Sequence, residues 1–147
     1  MCRLGLGLYG FGYVHNDALE MCSTLRTRIV QIRTLHDGDT VGYGRNGKIV
    51  GEKRIATIPV GYADGLDRHL SCGKGRFTIN GHRVPTIGNI CMDMTMLDVT
   101  GIDVKVGDTV TIFGEDPTIT ELADILGTIP YEIITSVPRR IERIIVR

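Results

Sequence analysis

The chain has 147 residues, 42% of them hydrophobic and 23% charged, and its 17 basic and 17 acidic side chains cancel to a formal net charge of zero. This is the size and balance of one globular domain with a single core, not of a disordered segment. The even charge argues against a nucleic-acid or anionic-membrane footprint, and no apolar run approaches the ~20 residues that span a bilayer, so neither partner is expected.

The start, Met1-Cys2-Arg3-Leu4-Gly5, lacks the order of a secretory signal. Cys2, Cys22, Cys72 and Cys91 are scattered, with no Cys-x-x-Cys and no histidine pair at zinc spacing. A cytoplasmic chain with reduced thiols and no metal is expected.

In chain order, the first feature is a glycine-rich stretch, Arg3 to Gly10, whose alternating glycines let a backbone or a ligand approach closely. Residues 25–35 are rich in β-branched side chains and predict a strand. Gly38-Asp39-Thr40-Val41 recurs as Gly107-Asp108-Thr109-Val110, in each case a turn feeding a strand. Residues 54–60 predict another strand, which Pro59 places at an edge or near its end. Asn80-Gly81, between Phe77-Thr78-Ile79 and His82-Arg83-Val84, predicts a two-residue hairpin with a type I′ turn. Residues 94–99 and 108–113 continue the strand pattern, and 141–146 predict a closing strand. Thr118-Ile119-Thr120-Glu121 is a capping box opening a helix that Gly127 ends; Pro130 opens a second helix and Pro138 ends it. The fold class is mainly β: a closed or partly open antiparallel or mixed β-barrel, since closure removes exposed edges, with a small helical insert near residues 118–137.

Two further segments could carry chemistry. In Gly61-Tyr62-Ala63-Asp64-Gly65 a tyrosine follows an apolar strand, a common place for reactive groups. Its phenol, with an ordinary pKa of about 10, acts as a base near neutrality only where positive charge or hydrogen bonds favour the phenolate. In Gly88-Asn89-Ile90-Cys91-Met92-Asp93-Met94, Cys91 has no evident histidine partner and suits a core better than a nucleophile. Asp93, between two methionines, needs a partner or water for its charge.

Taken together, Arg-x-Gly-x-x-x-Tyr-Gly, Gly-Tyr-Ala-Asp-Gly, Gly-x-Ile-Cys-Met-Asp and a late Tyr-Glu followed by Val-Pro-Arg-Arg resemble alanine racemase over essentially the whole chain. The resemblance implies the carboxyl-terminal β-domain of a homodimeric pyridoxal-phosphate enzyme. Such an enzyme interconverts L-alanine and D-alanine for peptidoglycan synthesis, and its amino-terminal (β/α)₈ barrel and cofactor lysine lie outside these residues. Residues 1–10 would be the last barrel strand and its exit, 11–22 a connector, and 23–147 the β-domain. Arg3 matches the arginine facing the pyridine nitrogen. Gly5 and Leu6 match positions whose amides hold the cofactor phosphate, and Tyr131 matches a tyrosine whose hydroxyl reaches it. Tyr62 matches the second catalytic acid/base. Met92 matches the residue whose amide binds the substrate carboxylate, with Asp93 beside it as support. Tyr62 and Met92 would serve the partner subunit's site. Asn89 stands where some relatives carry arginine at the mouth of the site.

The chemistry fits the residues. Racemisation removes a proton from one face of the α-carbon and returns one to the other, so two acid/base groups are needed, and Tyr62 would supply one. An arginine at the ring nitrogen donates a hydrogen bond but hardly a proton, which limits electron withdrawal and side reactions. Two other readings stand beside this one. A free-standing β-barrel binding module has the same composition but no use for the Arg3–Gly5 stretch. A related broad-specificity racemase shares the motifs, whereas a basic-amino-acid decarboxylase fits them poorly.

Overall fold

The computed structural model describes residue 1, residues 5–12 and residues 18–146. It contains strands β1 (Leu25–Arg28), β2 (Gln31–Leu35), β3 (Thr40–Val41), β4 (Gly47–Lys48), β5 (Lys53–Ile58), β6 (Arg76–Ile79), β7 (His82–Pro85), β8 (Thr95–Asp98) and β9 (Thr109–Phe113), then helices α1 (Ile119–Leu126) and α2 (Pro130–Ser136). The strands form sheets of order β1-β9-β6-β7, β2-β5-β8 and β3-β4. Every pairing is antiparallel.

The expected strand over 25–35 is two strands in two sheets. The Ile29 amide donates to the Asp108 carbonyl and the next amide, Val30, to that of Thr57. Consecutive residues therefore bond to different sheets, and the chain crosses between them with Ile29 buried at the corner. β5 is the central strand of its sheet and stops just before Pro59, so the proline marks the strand's end. The hairpin forms as expected, with Asn80 and Gly81 at φ 49° and 79°, the double positive φ a type I′ turn requires. Both halves of the Gly-Asp-Thr-Val echo feed strands, β3 and β9.

No closed barrel forms among the described residues. The two larger sheets face each other across one core that includes Phe77, Ile79, Val84 and Val110 from one sheet and Ala56, Ile58 and Leu97 from the other. Between β7 and β8 there is only one bridge, Thr86 to Leu97. β7 is an edge strand ending in Pro85, which has no amide hydrogen to extend a ladder, so the seam stays open.

The helical insert follows the sequence. Thr118 caps α1 by accepting from the Glu121 amide, Gly127 ends it in the left-handed conformation, and Pro130 opens α2. The other half of the capping box does not form, because the Glu121 carboxylate pairs with Arg83 on β7 instead of turning back. Burial works against the charge on the Arg83 guanidinium, but the hydrogen bonds and negative charges of Glu121 and Asp116 outweigh it and hold the group in its charged form. Residues 141–146 form no strand. Arg143 donates to the carbonyls of Val137, Pro138 and Ile141, which folds the segment on itself, and Ile144, Ile145 and Val146 lie exposed. Leu6–Tyr9 is a 3-10 turn within the stretch expected to hold the barrel strand and its exit. Among the described residues no helix is long and apolar enough to cross a membrane, and no cluster of His, Cys, Asp and Glu could hold a metal.

Candidate active site

The strand β5 delivers Tyr62. After Pro59, Val60 is buried and its carbonyl accepts from the Thr95 hydroxyl at the start of β8, which pins the strand end. Tyr62–Asp64 then form a 3-10 turn. The turn is closed by its own aspartate: Asp64 is 7% exposed, and its Oδ2 accepts from the Gly61 amide at 3.0 Å. Tyr62 is 46% exposed, and its hydroxyl makes no hydrogen bond among the described residues.

The segment 88–94 forms a second turn against the first. Ile90 is buried and its amide donates to the Ser71 hydroxyl. The Cys91 amide donates to the Met94 carbonyl at 2.9 Å, leaving Met92 and Asp93 at the tip. Two backbone bonds of 3.0 Å join the turns, from Tyr62 to the Cys91 carbonyl and from Ala63 to that of Met92. The Met92 amide has no partner among the described residues. Tyr62, Arg68, Asn89, Met92 and Asp93 therefore line one open groove of about 850 Å³. A free phenol and an unpaired backbone donor share this surface, the pairing needed to hold an anion while a proton moves nearby.

Arg140, just beyond α2, spans the two turns. Its Nη2 donates to Asp64 Oδ1 at 2.8 Å and to Asp93 Oδ1 at 3.5 Å. Asp93 thus has the partner its setting demands. Cys91 is half-buried with its thiol on the Asn89 carbonyl, a packing position without an activating base. Asn89 donates to the Tyr43 carbonyl at 2.9 Å, fixing an exposed tyrosine loop at the mouth of the groove.

A second corner is built from α2 and the start of the chain. The buried Leu6 amide donates to the Tyr131 hydroxyl at 2.8 Å, which leaves that hydroxyl its own proton to give. A Cβ on Gly5 would lie 2.1 Å from the same oxygen, so only glycine leaves this space open. Arg3 lies outside the described residues. The far end of α2 reaches the first turn, where the Ser136 hydroxyl donates to the Gly65 carbonyl. The structure thus groups Tyr62, Met92 and Asp93 on one groove and Gly5, Leu6 and Tyr131 at one corner.

Sequence reasoning missed Asp64, Gly61 and Arg140. Asp64 carried a readable signal, an acidic residue three positions after Gly61, where a side chain can reach back to a turn's first amide. Arg140 sits beside Arg139, and sequence alone gives no ground for choosing between them.

Residues 22–145 match the sequence model of the alanine racemase C-terminal domain. The chain belongs to that family. It is 43% identical to alanine racemase 1 of Clostridium acetobutylicum, over 99% of this chain and 40% of the relative. It is 41% identical to the alanine racemase of Deinococcus radiodurans, over 93% of this chain and 40% of the relative. Among solved structures, the Bartonella henselae alanine racemase with covalently bound pyridoxal phosphate superposes at a TM-score of 0.87, with 34% identity, covering 95% of this chain and 40% of that one. The Clostridium difficile 630 alanine racemase in complex with cycloserine does so at 0.82, with 36% identity, covering 91% and 37%. The chain therefore spans about two fifths of the length of these racemases, and the mainly β architecture with two helices is that of the family's C-terminal domain.

Proposed function

We propose that this chain is the carboxyl-terminal part of a pyridoxal-phosphate-dependent alanine racemase interconverting L-alanine and D-alanine, with Tyr62 as one of its two acid/base groups. The observation that carries the reading is the exposed Tyr62 phenol stitched, through two backbone bonds, to a turn whose Met92 amide is unpaired. On this reading the Met92 N–H donates to the substrate carboxylate and the Tyr62 hydroxyl gives or takes the proton at the α-carbon. The two groups act on one molecule because the turns that carry them are one hydrogen-bonded unit, and fixed placement of this kind accounts for much of a catalyst's effect.

The residues present fit the cofactor. Gly5 leaves room where any side chain would strike Tyr131, and the Tyr131 hydroxyl keeps a proton for an acceptor. The Gly5 amide and the Tyr131 hydroxyl would hold the phosphate, with the Leu6 amide shared between that hydroxyl and the phosphate, and Arg3 would face the ring nitrogen. Pyridoxal phosphate, when bound, draws electrons from the α-carbon and so acidifies its proton. Tyr62 and Met92 serve a second subunit's cofactor, so each site is shared across a homodimer. The other acid/base group and the barrel belong to the remainder of the enzyme. D-alanine made this way serves the bacterial cell wall, and the enzyme works in the cytoplasm.

The test is Tyr62→Phe in the whole protein, with α-proton exchange followed separately from L-alanine and D-alanine. Loss of one general acid/base costs about 10²–10⁴-fold. A loss of that size, far more severe for one enantiomer than for the other, is expected. Equal, near-normal exchange from both would refute the role of Tyr62.

A further inference from the structure

One guanidinium group meets both halves of the groove. Asp64 belongs to the Tyr62 turn and Asp93 to the Met92 turn, yet both carboxylates reach Nη2 of Arg140. Asp64 is fully committed: one oxygen accepts from the Gly61 amide and the other from Arg140, and its side chain is 11% exposed. Asp93 is 60% exposed and lines the groove beside the unpaired Met92 amide. Its charge therefore stands next to the place where an anion would bind, and Arg140 is the cation that offsets it. The backbone bonds between the turns fix their separation, whereas the carboxylate–guanidinium contacts fix the tilt of the Asp64 side of the turn and so the direction of the adjoining phenol. Arg140 also follows α2, whose Ser136 bonds to Gly65 and which carries Tyr131. One short segment thus touches the Tyr62 turn, the Met92 turn and the Tyr131 corner.

We propose that Arg140 is a positioning residue of the racemase site: it ties Asp64 to Asp93, aims the Tyr62 phenol and neutralises the Asp93 charge beside the carboxylate-binding amide. The proposal rests on the racemase reading above and makes a separate claim. It divides into two measurable parts, since aim governs kcat and charge beside an anion site governs KM.

The experiment is steady-state racemisation of alanine by the whole protein carrying Arg140→Met, Arg140→Lys, Asp93→Asn, or Arg140→Met with Asp93→Asn, with thermal unfolding recorded for each. Arg140→Met is expected to lower kcat by about 10–100-fold, the cost of misplacing a reacting group, and to raise KM for alanine. Adding Asp93→Asn to that variant should restore KM but not kcat, because it removes the unpaired charge without restoring the aim. Arg140→Lys keeps the charge but replaces the fixed, in-plane donors of Nη2, which meet both carboxylates, with a freely rotating ammonium, so it should restore KM further than kcat. If Arg140→Met fails to fold, the lysine variant and the Asp93→Asn single variant still read the split. Variants within twofold of the unsubstituted enzyme in both constants would overturn the proposal, as would losses that merely track the unfolding temperature. No alanine racemisation by the unsubstituted protein would instead overturn the racemase reading, and this proposal with it.

Discussion

A methyl group added at Gly61 would sit 2.2 Å from the carbonyl oxygen of Cys91 and 2.3 Å from that of Met92. Both obstacles are backbone atoms held in the joint between the two turns, so neither can rotate away. Gly61→Ala must push the Tyr62 turn off the Met92 turn, and overpacking of this kind costs about 1–3 kcal/mol. Chemical denaturation of the variant should show that loss. Gly5 makes an instructive contrast. There the added Cβ would meet the Tyr131 hydroxyl at 2.1 Å, the far end of an exposed side chain that can swing aside. Gly5→Ala should therefore cost only about 0.5–1.5 kcal/mol, the net worth of the Leu6–Tyr131 hydrogen bond it breaks. It should nonetheless weaken retention of pyridoxal phosphate by the whole enzyme, because the hydroxyl and the Leu6 amide no longer meet. Equal cofactor affinity in the variant would remove Tyr131 from the phosphate corner.

At the scale of elements, the pairing of β5 with β8 carries a pH-sensitive contact. Lys53 at the start of β5 donates to Asp98 at the end of β8 at 2.7 Å, and Thr100 donates to the same carboxylate from its amide and its hydroxyl. Partial burial tends to raise the Asp98 pKa, but the Lys53 and Thr100 hydrogen bonds outweigh it and hold the carboxyl below its ordinary value of 3.8. A carboxylate whose pKa is lower folded than unfolded stabilises the fold above the unfolded pKa. That stabilisation fades as pH falls through the unfolded value toward the folded one. Asp98→Asn should therefore lower stability at neutral pH by about 0.5–1 kcal/mol and make little difference at the acid end; a constant gap across that range would contradict the assignment. Local rules of this kind explain which elements were legible beforehand. The hairpin at Asn80-Gly81 and the Thr118 cap depend on neighbouring residues alone, and both form as read. The break at Ile29 depends on two strands distant in sequence, β5 and β9, so nothing within residues 25–35 announces it. The apolar run 144–146 looked like a strand because its composition suits one, but a strand needs an edge to pair with, and Arg143 diverts the preceding carbonyls.

For the molecule as a whole, the two larger sheets bury one apolar layer and leave the groove, the Tyr131 corner and the seam between β7 and β8 at the surface. Tyr62 and Met92 could be singled out as candidates because their motifs are contiguous and specific, while Arg140 became a candidate only when residues 64 and 93 came together in space. The same arrangement sets what residues 1–147 can do by themselves. Leu97 is wholly buried at the meeting of both sheets, and Leu97→Ala should cost about 2–5 kcal/mol through the cavity it leaves. The fold thus has its own core, so the chain can be expected to hold its shape without the rest of a racemase. Catalysis is different. On the proposed reading, reprotonation on the opposite face needs a second acid/base group across the α-carbon, and the groove holding the Tyr62 phenol would contribute only one of the two. The purified 147-residue chain is therefore expected to show a cooperative unfolding transition and yet no racemisation of L-alanine or D-alanine and no tight retention of pyridoxal phosphate. Turnover by this chain alone would mean that both faces are served from within it, and the division of labour assigned to Tyr62 and Met92 would have to be abandoned.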